Sequence, residues 1–477
     1  MIDCFGHKRS QFNYGSSKVN GAFVYLDSKR RAELHAGQYS DDFNLVEWLR
    51  NHMDRVKLLV TEQSIQGLPE NFPQFIVPNA WAFYLEVATY TRRLYDGNVI
   101  SVTGSVGKST TRLMIVRILQ QLKRRVVTND GNENVRTVVV PLLTKTLRNP
   151  DDLVAELSIN ALNNRDPKGG PVSRIYQSDA AVITQIGGAH LADIQNVKDP
   201  LMFLAERKAR IFEGMQSSGR AIINYDMVPR VYKYVEQRAR LKTDHIYTFS
   251  YSNQHADAFV RDCIDYREYS VVTIQVLDKT YDVKLTMPGV GVIMDLLAAC
   301  LTVQSLGITL PDLTNIFVDF QALNNELKFY DLPTATGVSK LVDDTHGSTI
   351  HSVKNILSVF KARGKFYRGK KVLIMETGED LGNQAATYNL QLKGQILDSG
   401  IDVLYSYRDP AIKTLSDSLN TSMETHFFKS LDAIQAAIDR LPEDSLIMVK
   451  SSDGRKYGSD LWTLPEKMLT RERKSEK

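Results

Sequence analysis

The sequence predicts an α/β protein whose centre is a parallel sheet sandwiched by helices. Three observations carry this expectation. From about residue 98, strand-like and helix-like runs alternate as VISVTG, a helix, RRVVT, a helical region, LVAELS, AAVITQIG, a helix and RAIINYD. That is the rhythm of βαβ units. The stretch TGSVGKST at 103–110 passes from strand to helix through a tight turn holding two glycines. A second α/β unit begins near residue 319, with KLVDD, the helix SVKNILSVFKA, KKVLIMETG, IDVLYSY and LIMVKSS. The 477 residues are too many for one ordinary core, and about 150 residues per domain suggests about three domains. The expected division is 1–97, 98–318 and 319–477.

The elements follow in order. Residues 1–97 mix short strand-like runs (AFVYL, KLLVT, QFIVP) with the helical segments DFNLVEWLRNHM and WAFYLEVATYTRRL. In the middle unit, VVTIQV and KTYDVKLTM alternate with period two across 269–286 and read as a hairpin. The helix MDLLAACLTVQSLG follows and stops at Gly307, a C-terminal capping residue. The charge-rich tail TRERKSEK reads as a frayed, solvated end. No internal repeat is present.

Composition narrows the class. Hydrophobic residues make up 43% and charged residues 24%, as in an ordinary soluble globular protein. A balance of 59 basic to 55 acidic residues leaves +4, too little to indicate nucleic acid or a membrane surface as partner. No apolar run approaches the roughly 20 residues that span a bilayer. The first residues, MIDCFGHKRSQFNYGSS, lack the apolar core of a secretory signal. Cys4, Cys263 and Cys300 fit no metal or disulfide spacing and read as free thiols of a reducing cytoplasm.

The turn at 103–110 carries the first chemistry. A standard phosphate loop is G-x-x-x-x-G-K-[ST], whose backbone N–H groups cradle phosphates. Its leading glycine would fall at Val102, so the match is the shortened T-G-x-x-G-K-S-T. The context fits, because a β-branched strand precedes it and Ile115, Ile118, Leu119 and Leu122 mark one face of the helix behind. A helix N-terminus favours anions. Gly104, Ser105, Val106, Gly107, Lys108, Ser109 and Thr110 are therefore the expected phosphate-binding residues, with the nucleotide left open by the motif alone. Lys108 would sit on the β- and γ-phosphates and Ser109 on magnesium.

Three further residues stand at strand ends or helix starts: Glu156 closing LVAE, His190 after VITQIGGA, and Lys208 in LMFLAERKARIF. Ligands of α/β sheets gather at the carboxyl ends of strands, which would bring Glu156 and His190 near the phosphate loop. A carboxylate there suits magnesium. Taken singly, each also fits a blander role as a solvated carboxylate, a satisfied polar group or a charge on an amphipathic helix. Leu201, Leu204, Lys208 and Ile211 share the apolar stripe of that helix, with Arg207 and Arg210 outward. Lys208 therefore either turns inward or lays its stem on the core and keeps its ammonium in water.

Together these strings carry a resemblance. TGSVGKST, DGNEN (130–134), AELSINA (155–161), ITQIGGAHL (183–191), ERKARIFEGM (206–215), RAIINYD (220–226) and LVDDTHGST (341–349) follow in order the landmarks of the Mur ligases. Within that family the chain looks most like the ligase that adds D-alanyl-D-alanine to the UDP-muramoyl-tripeptide. NGAFVYLD and FIVPNAWAFYLEVATYTRRL resemble its N-terminal domain, and METGEDLG (375–382) and MVKSSDGRK (448–456) its C-terminal domain. The resemblance implies a three-domain architecture: an N-terminal substrate domain, a central phosphate-loop ATPase domain and a C-terminal Rossmann-like domain. It implies an ADP-forming ligase that uses ATP and Mg²⁺ to activate a carboxylate as an acyl phosphate and couple it to an amine or amino acid. By resemblance, Ser109 and Glu156 hold one magnesium and His190 a second. Lys208 matches a lysine that the family carbamylates. Asn132 matches an asparagine near the reacting groups, and Asp343 or Asp344 an acid that reaches the nucleotide.

The chain also departs from the family pattern. GVGVIMD (289–295) stands for G-x-H-N-x-x-N, whose amides help hold adenine. Asn325-Glu326 replaces a Gly-Arg at the start of the C-terminal domain, and His346-Gly347-Ser348-Thr349-Ile350 replaces Tyr-Asn-Ala-Asn-Pro. Ser16-Ser17-Lys18 replaces the uridine-binding Asp-Ser-Arg. Losing a bidentate arginine is not a conservative change. The reading that follows is a specialised cytoplasmic relative with a different carrier. Two alternatives remain: a peptidoglycan-precursor ligase proper, and a non-catalytic nucleotide-binding scaffold. A phosphate-release assay with candidate amino acids separates the scaffold from the enzymes. A general phosphate-loop kinase or GTPase fits less well, since no guanine-reading N-K-x-D occurs.

Overall fold

A computed structural model describes residues 2, 4–6, 20–35, 44–131, 133–163, 170–187, 197–286, 289–320, 327–378, 381, 385–452 and 458–475. Its strands form three sheets. The first joins β1 (Cys4–Gly6), β2 (Gly21–Val24), β3 (Val56–Thr61) and β4 (Gln74–Ile76), all parallel and in that order. The long helix Ala80–Leu94 leads out of it, capped by the Asn79 side chain on Ala82 N–H.

The second sheet has nine strands: β5 (Asn98–Thr103), β6 (Val126–Thr128), β7 (Asp152–Glu156), β8 (Ala180–Ile183), β9 (Arg220–Asn224), β10 (Ile246–Ser250), β11 (Ala258–Asp265), β12 (Ser270–Val276) and β13 (Lys279–Leu285). Their spatial order is β13-β12-β11-β10-β9-β8-β5-β7-β6. Strands β6 to β11 run parallel, and β11–β12–β13 are antiparallel. Strands β7 and β8 are buried throughout, whereas β12 alternates between buried and half-buried residues. That contrast is expected of a sheet covered on both faces that ends in a one-faced antiparallel extension. The hairpin read from period-two alternation is β12–β13, and Gly307 takes the left-handed conformation just past the helix Val290–Ser305.

The third sheet contains β14 (Lys328–Thr334), β15 (Gly337–Asp344), β16 (Lys371–Met375), β17 (Val403–Tyr407), β18 (Glu424–Phe428) and β19 (Leu446–Lys450), ordered β14-β15-β19-β16-β17-β18. All pairs are parallel except the β14–β15 hairpin. The α/β class with predominantly parallel sheets is therefore as expected. Two details differ from the sequence reading. The tail TRERKS continues the helix Leu464–Ser475 rather than fraying, because Leu464 and Met468 anchor its start in the core. Strands β10 and β11 went unread, since IYTFS and AFVRDCID carry too few buried positions to show a clear period.

Among the described residues no helix is long and apolar enough to cross a membrane. The thiols of Cys263 and Cys300 are free and pushed up by burial, Cys263 to about 11.

The strand that matters most for the site, β7, is pinned at its start. Asp152 is fully buried and accepts from Arg124 Nε at 2.6 Å, Arg124 Nη2 at 2.9 Å and Asn98 Nδ2 at 2.7 Å. Breaking a buried carboxylate pair from one side leaves an uncompensated charge. Since Arg124 is partly exposed, Arg124→Ala should cost about 2–3 kcal/mol. Chemical denaturation of both proteins checks this.

Candidate active site

Strand β5 delivers the chain into the loop 104–107, and both loop glycines are sterically required. A Cβ on Gly104 would lie 1.9 Å from Thr184 Oγ1, and one on Gly107 2.2 Å from Asp295 Oδ1. Gly107 also sits at φ +85°, in the left-handed region that favours glycine. It offers no side chain to cap the helix Lys108–Gln121. The first-turn N–H groups are thus left to an anion. The loop is braced by its neighbour after β8, where Ser105 N–H donates to Gln185 O at 2.5 Å and Gly187 N–H to Ser105 Oγ at 3.0 Å. Residues 105–110 line a cleft of about 880 Å³.

Beneath the loop lies Glu156, at the end of β7 and fully buried. Its Oε2 accepts from Ser109 Oγ at 2.7 Å and its Oε1 from Asn134 Nδ2 at 2.6 Å. Asn129 holds the backbone of Glu156 from both sides, accepting from its N–H at 2.9 Å and donating to its carbonyl at 3.2 Å. Arg112, one turn past Ser109, places Nε 3.7 Å from Glu156 Oε2 and donates to the carbonyls of Asn129 and Gly131 at 2.6 and 2.8 Å. Burial lowers the Arg112 pKa, while Glu156 supports its charge.

The pair Ser109 Oγ and Glu156 Oε2 forms a hard-oxygen donor set, the kind magnesium takes together with water and phosphate oxygens. The residues present therefore fit that ion. Among the described residues no three His, Cys, Asp or Glu side chains converge on another such site.

Lys208 turns inward. It is 2% exposed and its Nζ donates to Gly104 O at 2.6 Å. It does not keep its ammonium in water. Burial lowers its pKa well below the usual lysine value, the like charge of Lys108 adds to this, and Glu156 opposes it. Lys108 itself lines the cleft and donates to Ser105 O at 3.2 Å.

The opposite wall comes from the third sheet. Asp344 lines the cleft, accepting from Lys450 Nζ at 2.6 Å and from Leu327 N–H at 3.3 Å. Its neighbour Asp343 points elsewhere, accepting from Thr345 Oγ1 at 2.8 Å, and burial raises its carboxyl. Gly104, Ser105, Val106, Gly107, Lys108, Ser109, Thr110, Glu156, Lys208 and Asp344 thus gather at one place. Asp343 stands off it. His190, Asn132 and the pair Asn325-Glu326 lie outside the described residues.

Several site residues escaped the sequence reading. Asn134 closes the string DGNEN, and Arg112 follows Ser109 by three positions on one helix, a spacing that places both on one face. His351 lies against Gly187 and is pushed down to about 4 by burial and the charge of Lys354. Asp295, already marked in the sequence as the last position of GVGVIMD, accepts from Thr111 Oγ1 at 3.0 Å, bracing the phosphate-loop helix.

Residues 102–303 match the Mur ligase middle domain family. The UDP-N-acetylmuramoyl-tripeptide--D-alanyl-D-alanine ligase of Bacillus subtilis (strain 168) is 24% identical over 421 residues, covering 87% of this chain and 86% of the relative. The ligase of the same name from Escherichia coli (strain K12) is 24% identical, covering 72% and 73%. The crystal structure of MurF ligase from Thermotoga maritima in complex with ADP aligns with a TM-score of 0.73 and 16% identity, covering 98% of this chain and 99% of that one. The resemblance read from the sequence thus holds for the fold, and residues 102–303 are similar to the Mur ligase middle domain.

The inward lysine generates a test. A lysine with a lowered folded-state pKa binds fewer protons in the native than in the unfolded state, so stability rises with pH between the two values. Lys208→Met should be more stable than wild type near neutral pH in nucleotide-free, carbon-dioxide-depleted buffer. The difference should shrink as pH rises toward the unfolded lysine value of about 10.4. Melting curves at several pH values check the sign.

Proposed function

We propose that this chain, an ATP- and Mg²⁺-dependent amide-forming ligase of the Mur ligase type, couples a carrier-linked carboxylate to an amine or amino acid as a specialised relative. The observation that carries the reading is the convergence of Lys108, the Ser109–Glu156 oxygen pair and buried Lys208 in one cleft closed by a second α/β unit. We divide the chain into a substrate domain (1–97), an ATP-binding domain (98–318) and a Rossmann-like domain (319–477), a division consistent with one sheet in each. We place the reaction in the cytoplasm.

The chemistry brings two anions together. The substrate carboxylate oxygen attacks the γ-phosphorus, the bond to ADP breaks, and an acyl phosphate forms. The amine nitrogen then attacks the acyl carbon, phosphate leaves, and the amine proton is lost. Lys108 and the first-turn N–H groups of its helix offset the charge developing on the transferred phosphoryl group. Magnesium, when bound, neutralises phosphate charge; Ser109 and Glu156 would hold it, with His190 at a second position. Asn134 and Asn129 keep the Glu156 carboxylate aimed at Ser109, as outer partners orient a ligand. The lowered pKa of buried Lys208 favours the neutral amine, the form that takes up carbon dioxide, and its carbamate would be an anionic oxygen donor. By the resemblance Asn132 would act near the reacting groups, and Asp344 (rather than Asp343) would meet the nucleotide from the third sheet.

A second reading is a peptidoglycan-precursor ligase proper, acting on the substrates that the names of the Bacillus and Escherichia relatives state. The match along 87% of the chain favours it. The specialised reading is favoured by Asp295, which is committed to Thr111 and the phosphate loop where the family pattern has an asparagine.

Phosphate release and product mass, measured with ATP, Mg²⁺, UDP-N-acetylmuramoyl-tripeptide and D-alanyl-D-alanine, and again with pooled carboxylates and amino acids, decide between them. Turnover only with the pooled substrates supports the specialised relative; no amine-dependent phosphate release at all refutes both. Lys108→Ala should lose about 10²–10³ in rate or more, and a loss under about threefold overturns its role. Lys208→Ala should collapse in activity and recover in part with acetate or formate, which supply the missing oxygens. Full activity without additive would rule out the carbamate.

A further inference from the structure

We propose that Arg112 gates the metal site. Acting through Glu156 as a positioning residue, it balances the carboxylate charge, so that the Ser109–Glu156 pair takes a divalent cation together with a polyphosphate and not by itself. The inference rests on the proposed assignment of that pair to magnesium. Arg112 lies on the phosphate-loop helix Lys108–Gln121 and is 1% exposed. Its two terminal nitrogens are occupied around the end of β6. Nη1 donates to Thr128 Oγ1 at 2.9 Å and to Asn129 O at 2.6 Å, and Nη2 donates to Gly131 O at 2.8 Å. Those bonds fasten the helix to the segment after β6. Nε is left over. Among the described residues it finds no hydrogen-bond partner, and it stands 3.7 Å from Glu156 Oε2. That is too far for a hydrogen bond, so what Glu156 receives from Nε is charge. A guanidinium keeps that charge even when buried.

The oxygen concerned is the one a metal would need. Oε2 also accepts from Ser109 Oγ at 2.7 Å, whereas Oε1 accepts from Asn134. Both of these donors are neutral. Among the described residues the one ion pair of Glu156 is with Arg112. The affinity of an oxygen site for a hard dication follows its count of anionic ligands. Here one carboxylate is cancelled by one guanidinium, and a cation taking Oε2 must also displace the Ser109 hydrogen. Repulsion between a buried unit charge and a nearby dication is worth about tenfold or more in a binding constant. A polyphosphate reverses the balance. Its oxygens add negative ligands, and Arg112, Lys108 and the helix N-terminus all attract it. Arg112 therefore acts on the two ligands in opposite directions, against the metal and in favour of the nucleotide.

Opposite signs separate this role from a merely structural one, because a loosened site would bind both ligands more weakly. Electron paramagnetic resonance of Mn²⁺ with the full chain, without nucleotide, reads the metal. Calorimetry of ADP in a chelating buffer, without metal, reads the nucleotide. Arg112→Gln keeps an N–H donor for the carbonyls after β6 and removes the charge. It should bind Mn²⁺ about tenfold more tightly than wild type and ADP about threefold more weakly. Arg112→Lys keeps the charge and should leave Mn²⁺ binding weak. The affinity gained should vanish in Arg112→Gln/Glu156→Gln, which ties it to this carboxylate. Mn²⁺ binding by Arg112→Gln no tighter than that of wild type would overturn the gate. If that variant does not fold, wild type decides. A dissociation constant for Mn²⁺ on the order of millimolar without nucleotide supports the gate, and one of about 10 μM or below overturns it. Should Mn²⁺ fail to strengthen ADP binding in every protein, the magnesium assignment of Ser109 and Glu156 falls, and the gate with it.

Discussion

The buried carboxylate of Glu156 is the constraint on which the rest of the site depends. An ionised group with no exposed surface must be met on every side or it is expelled. Here one oxygen meets Ser109, at the start of the phosphate-loop helix, and the other meets Asn134, while Asn129 secures the backbone. Arg112 closes the ring from the next helical turn and reaches back to the carbonyls after β6. One carboxylate thus sets the position of the helix, the end of β7 and the segment 129–134 relative to each other. The pinning of Asp152 at the other end of β7 keeps that strand from sliding.

Charge balance follows from this anchor. Lys108, Arg112 and Lys208 crowd one side of the cleft, and Glu156 is the anion that faces them. Three full cations around one carboxylate would repel each other. Arg112 is hydrogen-bonded to backbone carbonyls, and burial together with the like charge of Lys108 lowers the Lys208 pKa while its Nζ donates to Gly104 O. The surplus positive field is then left at Lys108 and the helix N-terminus, where a polyphosphate would enter.

The third sheet brings a paired carboxylate and ammonium to the cleft. Asp344 and Lys450 are paired at 2.6 Å, and Lys450 also donates to Gly347 O. This wall presents a fixed dipole and a hydrogen-bonding crest. Its placement comes from the helix Ile350–Arg363, which is seated on the helix Val290–Ser305 through apolar residues and two caps, Ser358 Oγ accepting from Val290 N–H and Asn355 Oδ1 from Gly291 N–H. Catalytic electrostatics of this kind work best when the groups need not reorganise as charge develops.

By itself the sequence determined what local pattern can carry. The βαβ rhythm announced the parallel sheet, period two announced the β12–β13 hairpin, and TGSVGKST announced a phosphate loop between strand and helix. The apolar stripe of LMFLAERKARIF placed Lys208 on the inner face, although only packing decided that its ammonium would be buried rather than reach water. Tertiary structure alone decided the partners of Glu156. Arg112, Asn129 and Asn134 carry no motif of their own and acquire a role only when β5, β6 and β7 lie side by side. It also separated Asp343 from Asp344, since adjacent residues on a strand face opposite ways and one residue of register sends one to the cleft and the other to Thr345. The capping of one helix by another 64 residues away is the extreme case. No local spacing encodes a contact whose two halves meet only when separate sheets have folded and docked.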